Sequence, residues 1–248
     1  STFLCGLAQD VASDVAVDAA GNAYVVGVTD SYDFPTLCAF HPSSPDRPIS
    51  DDGFVARYSP AGDLVYSTLL GGSENDYALA LAVRADGAAI VAGQTRSADF
   101  PLKRALQARP AEGPGALRGE AFLTELEPGG SDLAFSTYFG GQQEDMATSL
   151  ALDGAGRPIM AGFTCSPDLP VRAPLQGAMR GQWDAFAARF APDGSTLDRS
   201  TYLGGSGAGI EAAWGVAALP DGRVALLGET QSGDFPVREP LQPGLAGQ

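Results

Sequence analysis

Two motifs recur along this chain at one fixed period, and that period limits the fold more than any other feature. A glycine, one residue, a threonine and then Asp-Phe-Pro or Asp-Leu-Pro occur four times, at Gly27 to Pro35, Gly93 to Pro101, Gly162 to Pro170 and Gly228 to Pro236, with the prolines 66, 69 and 66 residues apart. A second motif, Ser-Thr-x-x-Gly-Gly, keeps the same rhythm at Ser67 to Gly72, Ser136 to Gly141 and Ser200 to Gly205. Ser1 to Gly6 is a further copy in which Cys5 replaces the first glycine. A unit this short cannot cover its own apolar face and needs neighbours. The chain therefore reads as one domain over 1–248, made of units at approximately 1–66, 67–135, 136–199 and 200–248.

Within a unit, short alternating runs are separated by turn residues. Ala80 to Val83, Asp86-Gly87 and Ala89 to Gly93 spell a hairpin, with equivalent turns at Asp18 to Asn22, Asp153 to Gly156 and Asp221-Gly222. A third strand is expected from Phe54, Phe122 or Phe186, with one face buried and the other partly wet. A Pro-to-Gly turn (Pro60 to Gly62, Pro128 to Gly130, Pro192 to Gly194) then leads to a fourth strand at Leu64 to Leu70, Leu133 to Phe139 or Leu197 to Leu203. Four short antiparallel strands per unit, without helical periodicity, predict an all-β chain: a β-propeller of about four four-stranded blades. By phase the chain opens on a fourth strand and stops before the next third strand, one strand short of four whole units, so either four blades close with a strand from outside this sequence or, the preferred expectation, the chain is a segment of a larger propeller.

The stretches Asp18-Ala-Ala-Gly-Asn-Ala-Tyr-Val-Val-Gly-Val-Thr29, the Asp-Phe-Pro sites and Tyr66-Ser-Thr-Leu-Leu-Gly-Gly72 resemble the bacterial β-propeller repeat SBBP, whose name records seven blades. The resemblance covers essentially the whole chain. It implies an architecture, in exported or surface proteins of bacteria, and brings no shared catalytic residues. Four units where the name suggests seven is the departure.

Charge narrows the partners. Thirty acidic residues face fifteen basic ones, and no basic stripe offers a phosphate footprint, so nucleic acid is not an expected partner. No apolar run approaches the roughly 20 residues of a membrane span. Three cysteines without metal-ligand spacing read as free thiols, with Cys5 and Cys38 able to pair only in an oxidising compartment.

Residues that recur in every unit do the same job in each, so function is expected where units differ. Asp33, Asp99, Asp168 and Asp234 are expected to bond backbone N–H groups in their own turns. Asp10, Asp76, Asp145 and, after a two-residue insertion, Glu211 would form a ring of carboxylates if they met on the axis; such a ring would take Ca²⁺, the one cofactor the sequence raises. His41 fills the slot of Gln107, Gln176 and Gln242, which argues against a catalytic base. Cys38 and Cys165 hold tolerant positions. The segments Thr36 to Gly53, Leu102 to Ala121 and Val171 to Ala185 differ most, and with them Arg104, Arg109, Arg118, Arg180, Trp183 and Trp214 are the partner-binding candidates, Trp214 for stacking on a sugar. The reading is a non-catalytic scaffold binding protein or glycan in a larger exported bacterial protein, beside other domains of the same parent. The alternatives are a glycan lyase or hydrolase working through axial carboxylates, and a passive spacer.

Overall fold

The computed structural model describes residues 2–42, 50–111, 118–242 and 244. Among them there is no helix. Three four-stranded antiparallel sheets and one two-stranded sheet follow one another along the chain. The first holds β1 (Asp10–Val17), β2 (Ala23–Thr29), β3 (Asp52–Tyr58) and β4 (Leu64–Leu70). The second holds β5 (Asp76–Val83), β6 (Ala89–Thr95), β7 (Glu120–Leu126) and β8 (Leu133–Phe139), and the third β9 (Asp145–Leu152), β10 (Pro158–Thr164), β11 (Asp184–Phe190) and β12 (Leu197–Leu203). The fourth consists of β13 (Ala212–Ala218) and β14 (Val224–Glu229). Each sheet is a meander in chain order, the arrangement of a propeller blade.

The first strands lie side by side, β1 on β5, β5 on β9 and β9 on β13, while β13 makes no substantial contact with β1 among the described residues. The sheets thus stack in sequence with β4, β8 and β12 outermost. The core lies between them. Tyr24, Val26, Tyr66 and Leu70 of the first sheet pack on Val91, Phe122 and Leu126 of the second. Ile90, Leu123 and Phe135 of the second pack on Phe186, Phe190 and Tyr202 of the third. The layer between third and fourth sheets is thinner and built on Ala161, Ala185 and Ala213.

This stacking corrects the expected half-wet third strand: all seven residues of β7 are buried, because the second sheet has a neighbour on both faces. The third strands also start two residues before the expected phenylalanines. Thr2 to Gly6, read as a fourth strand, form none; β4, β8 and β12 each pair with a third strand, and none pairs with this segment among the described residues. The outer edges of the three four-stranded sheets are covered. In the first three sheets the segment after the motif proline returns along the fourth strand, bridging Leu37 to Ser67, Lys103 to Ser136 and Arg172 to Ser200, which shields an edge that would otherwise template association.

Two devices lock neighbouring sheets. Arg57 donates to Pro128 O at 3.1 Å and the Tyr24 hydroxyl to Gly87 O at 3.2 Å. Arg84 of the second sheet does both jobs, donating to Gly156 O at 2.6 Å and to Pro192 O while its Nε–H meets Glu125 at 2.8 Å.

Candidate functional site

The two sequence motifs turn out to be halves of one hydrogen-bonded clamp. Three consecutive backbone N–H groups follow the first glycine of each Gly-Gly or its equivalent. In the second unit, Gly72 N–H donates to Asp76 at 2.6 Å, Ser73 N–H to Asp99 at 2.9 Å and Glu74 N–H to Ser97 Oγ at 2.9 Å. The third unit repeats this with Gly141 to Asp145, Gln142 to Asp168 and Gln143 to Ser166. The first uses Gly6 to Asp10, Leu7 to Asp33 and Ala8 to Ser31. In the fourth, Gly205, Ser206 and Gly207 donate to Glu211, Asp234 and Ser232. The insertion there is absorbed by chemistry: the acid stands six residues after its glycine instead of four, and glutamate supplies the extra reach. The motif aspartates do accept backbone N–H groups, but from 26 to 28 residues upstream rather than from their own turns. Each clamp closes both ends of the first hairpin of its sheet.

These bonds decide what the recurring acids can do. Asp76 and Asp145 are fully buried, and burial pushes both carboxyls up to about 6, against the hydrogen bonds they accept. A second acid, from the start of the preceding third strand, stands beside each. A Cβ on Gly71 would lie under 3.0 Å from oxygens of both Asp52 and Asp76, and one on Gly204 would strike both Asp184 and Glu211. Gly140 separates Glu120 from Asp145 in the same way. The double glycine is therefore obligatory where two carboxyls close on one backbone. Burial also raises the Asp184 carboxyl, with Glu211 adding like charge. The structure sets Asp10, Asp76, Asp145 and Glu211 in four separate clamps, and among the described residues no three His, Cys, Asp or Glu side chains converge to hold a metal ion.

The glutamine slot explains His41. Gln107 donates to Glu120 at 2.6 Å and accepts from Gly140 N–H at 3.2 Å; Gln176 donates to Asp184 at 2.8 Å and accepts from Gly204 N–H at 3.0 Å. His41 lines a cavity of about 430 Å³ with Gly71, Gly72, Asp99 and Pro101, and Gln107 lines its counterpart with Gly140, Asp168 and Pro170.

The three cysteines are unpaired. Burial pushes the Cys165 thiol up to about 12, with Glu144 and Asp145 adding to it, so it is not an activated nucleophile. Cys38 shares its slot with Arg104, Ala173 and Glu239, and all four adopt positive φ, 49°, 51°, 44° and 51°. That slot tolerates many side chains because only its left-handed backbone is specified.

The arginine candidates do not assemble. Arg104, Arg109 and Arg180 are exposed singly on the segments after the motif prolines, and Arg118 donates to Gln143 at 2.6 Å. Residues 43–49 and 112–117 of those segments lie outside the described residues. The tryptophans do assemble. The Phe163 ring lies 5.3 Å from Trp183 and 6.1 Å from Trp214, edge-on to both, a favoured aromatic geometry. Trp214 is the bulged residue of β13, where Ser13, Leu79 and Thr148 stand in the other units. It is 50% exposed and donates its indole N–H to Glu229 at 3.3 Å. Trp183 precedes β11 and is half-buried, so one aromatic surface spans the third and fourth sheets.

Residues 6–35, from the first clamp donor to the motif proline, match the model of the SBBP family, the beta-propeller repeat. Over that stretch the chain is similar to the SBBP repeat. It is also 33% identical over 158 residues to the regulatory protein FlaEY of Caulobacter vibrioides, an alignment covering 63% of this chain and 16% of that protein. The chain thus spans only a small part of that relative's length.

Sequence reasoning missed two sets of residues. Asp52, Glu120 and Asp184 stand two residues before Phe54, Phe122 and Phe186, a fixed spacing that marks them as partners of the clamp acids. Phe163 occupies a slot held by Val28, Gln94 and Glu229, and only that aromatic exception signalled its place between the tryptophans.

Proposed function

We propose that this chain is a non-catalytic interaction module of an exported or surface bacterial protein, contacting protein or glycan through the aromatic surface of Trp183, Phe163 and Trp214. The observation that carries the reading is the half-exposed Trp214 ring on a bulge, edge-on to Phe163, with its indole N–H turned to Glu229. Rings with one apolar face and a nearby carboxylate suit a ligand that offers both C–H groups and hydroxyls. The non-catalytic reading is supported by the engagement of the recurring acids in clamp hydrogen bonds, which leaves them as structural acceptors. A contact surface without chemistry also suits the regulatory role carried in the name of the Caulobacter relative.

The test is a glycan microarray and a panel of envelope proteins, followed by calorimetry on the wild type and Trp214→Ala. Binding that is lost in a variant with an unchanged circular dichroism spectrum is expected. A ligand held equally by the variant, or turned over during the measurement, would overturn the reading.

A further inference from the structure

At each junction between sheets a main-chain hydrogen bond crosses at the level of the clamp. The N–H of the clamp acid donates to the carbonyl of the residue before the third-strand acid: Asp76 to Asp51 O at 2.7 Å, Asp145 to Gly119 O at 2.9 Å and Glu211 to Trp183 O at 3.2 Å. The two chains joined in this way each carry a carboxyl into the junction, Asp52 with Asp76, Glu120 with Asp145 and Asp184 with Glu211, about the glycines Gly71, Gly140 and Gly204. Of the three, the junction of the third and fourth sheets places a tryptophan on that bond, where the others have Asp51 and Gly119.

At this junction Asp184 and Glu211 are both fully buried. An oxygen of each lies within 3.0 Å of the point a Cβ on Gly204 would occupy, so the two oxygens stand at most about 6 Å apart, within the range in which one carboxylate opposes the ionisation of another. Asp184 accepts from Arg180 N–H at 3.0 Å, Gly181 N–H at 2.9 Å and the Gln176 amide at 2.8 Å, and Glu211 from Gly205 N–H at 2.7 Å and the Thr230 hydroxyl at 2.6 Å. Burial is the largest cause that raises the Asp184 carboxyl, and the Glu211 charge adds to it against those hydrogen bonds. The titratable and charged groups around the pair are Asp145, which shares Thr164 with Asp184 as a cross-strand partner, Cys165 next to that threonine, Tyr202 of β12, and Asp234 and Arg180 on the bordering loops. Glu229 accepts from the Trp214 indole. A carboxyl raised in the folded chain contributes its stability fully below its unfolded value, and that contribution is lost as pH rises through the folded one.

We propose that Asp184 and Glu211 hold one proton between them and that this proton latches the third sheet to the fourth, keeping Trp183 against Phe163 in acid and releasing it when the proton passes to solvent. Two carboxylates left buried about Gly204 repel each other across the main-chain bond from Glu211 to Trp183. The first effect falls on Trp183, whose ring lies 5.3 Å from that of Phe163. The latch rests on the reading of the aromatic surface given above and adds its regulation by pH.

Trp183 and Trp214 are the two tryptophans of the chain, so Trp214→Phe in the full chain leaves Trp183 as the reporter, and no ligand is needed. Acrylamide quenching of Trp183 is expected to rise on the order of twofold from pH 4.5 to pH 8 with an unchanged circular dichroism spectrum. Adding Glu211→Gln, which keeps an acceptor for Gly205 N–H and removes the charge, should hold quenching at its acid value throughout, and Asp145→Asn should leave the step in place. Quenching that does not change with pH, a step that survives Glu211→Gln, or one that vanishes in Asp145→Asn overturns the latch. If the Glu211→Gln chain does not fold, Asp184→Asn takes its place in the same comparison. A step in a chain that binds neither glycan nor protein supports the latch and counts against the binding reading alone.

Discussion

Replacing Asp145 by asparagine should change how the stability of this chain depends on pH. The carboxyl is fully buried, accepts from Gly141 N–H and Ser166 Oγ–H at 2.8 Å each, and is bonded by the Thr164 hydroxyl. Burial lifts it from 3.8 to about 6. A carboxyl raised in the folded state stabilises the fold fully below its unfolded value, and that contribution is lost as pH rises through about 6. A gap of about two pH units corresponds to roughly 3 kcal/mol. Asparagine is isosteric, accepts the Gly141 and Ser166 hydrogens through its oxygen, offers its NH₂ to the Thr164 oxygen, and carries no charge to desolvate. Because the unfolded carboxyl is already half ionised at pH 4, the stability of Asp145→Asn relative to wild type should rise by about 2.4 kcal/mol between pH 4 and pH 7.5, or on the order of 5–10 °C in Tm for a chain of this size. Several carboxyls near the surface, Asp18, Asp193 and Asp234 among them, are shifted downward by hydrogen bonds. They tilt both proteins equally and cancel in the difference. Urea unfolding followed by tryptophan fluorescence at pH 4, 5, 6 and 7.5 measures it. A difference constant within about 0.5 kcal/mol over that range would refute the buried-acid argument.

Gly93→Ala should destabilise the second sheet by about 2–4 kcal/mol, seen as a lower urea midpoint, because a Cβ there falls on the carbonyl oxygen of Tyr77. His41→Gln, the residue the other units use, should bind the first junction as Gln107 and Gln176 do and leave the thermal midpoint equal to wild type or higher; a drop of several degrees would mean that the contacts of the histidine ring, that with Phe40 among them, outweigh those of a glutamine. Iodoacetamide at pH 7.5 should label the exposed Cys5 and Cys38 well before Cys165, whose thiol is pushed up to about 12, with the order read by peptide mass spectrometry.

The repeat period, the four-strand unit and the turn chemistry were legible because each depends on local residue types: Asp-Gly turns, alternating runs and glycines at fixed spacing. The burial of both faces of β7 was not, since alternation within Glu120–Leu126 says nothing about a neighbour on the second face. The aspartates of the Asp-Phe-Pro sites were assigned the right kind of bond and the wrong partner, because a carboxylate next to a turn has no sequence mark for an N–H group 26 residues away. Trp183 and Trp214 both stand among the partner-binding candidates of the sequence, yet their meeting depends on Phe163 and on stacking between sheets. The four clamp acids looked alike on paper, and their common fate as acceptors for Gly6, Gly72, Gly141 and Gly205 follows from hairpin closure.

The clamp runs from Gly6 to Asp33 in the first unit, and the stretch matching the SBBP family, 6–35, has nearly the same limits. The inherited signature is thus that of a closed inner hairpin, the half of the blade beside its neighbours' first strands. The outer half keeps recurring residues of its own, Phe54, Phe122 and Phe186 of the third strands among them, and the units differ most in the segments that join the two halves. Two proteins sharing this signature can be expected to share a frame while presenting unrelated peripheries, and kinship measured on the inner hairpin says little about what each one recognises.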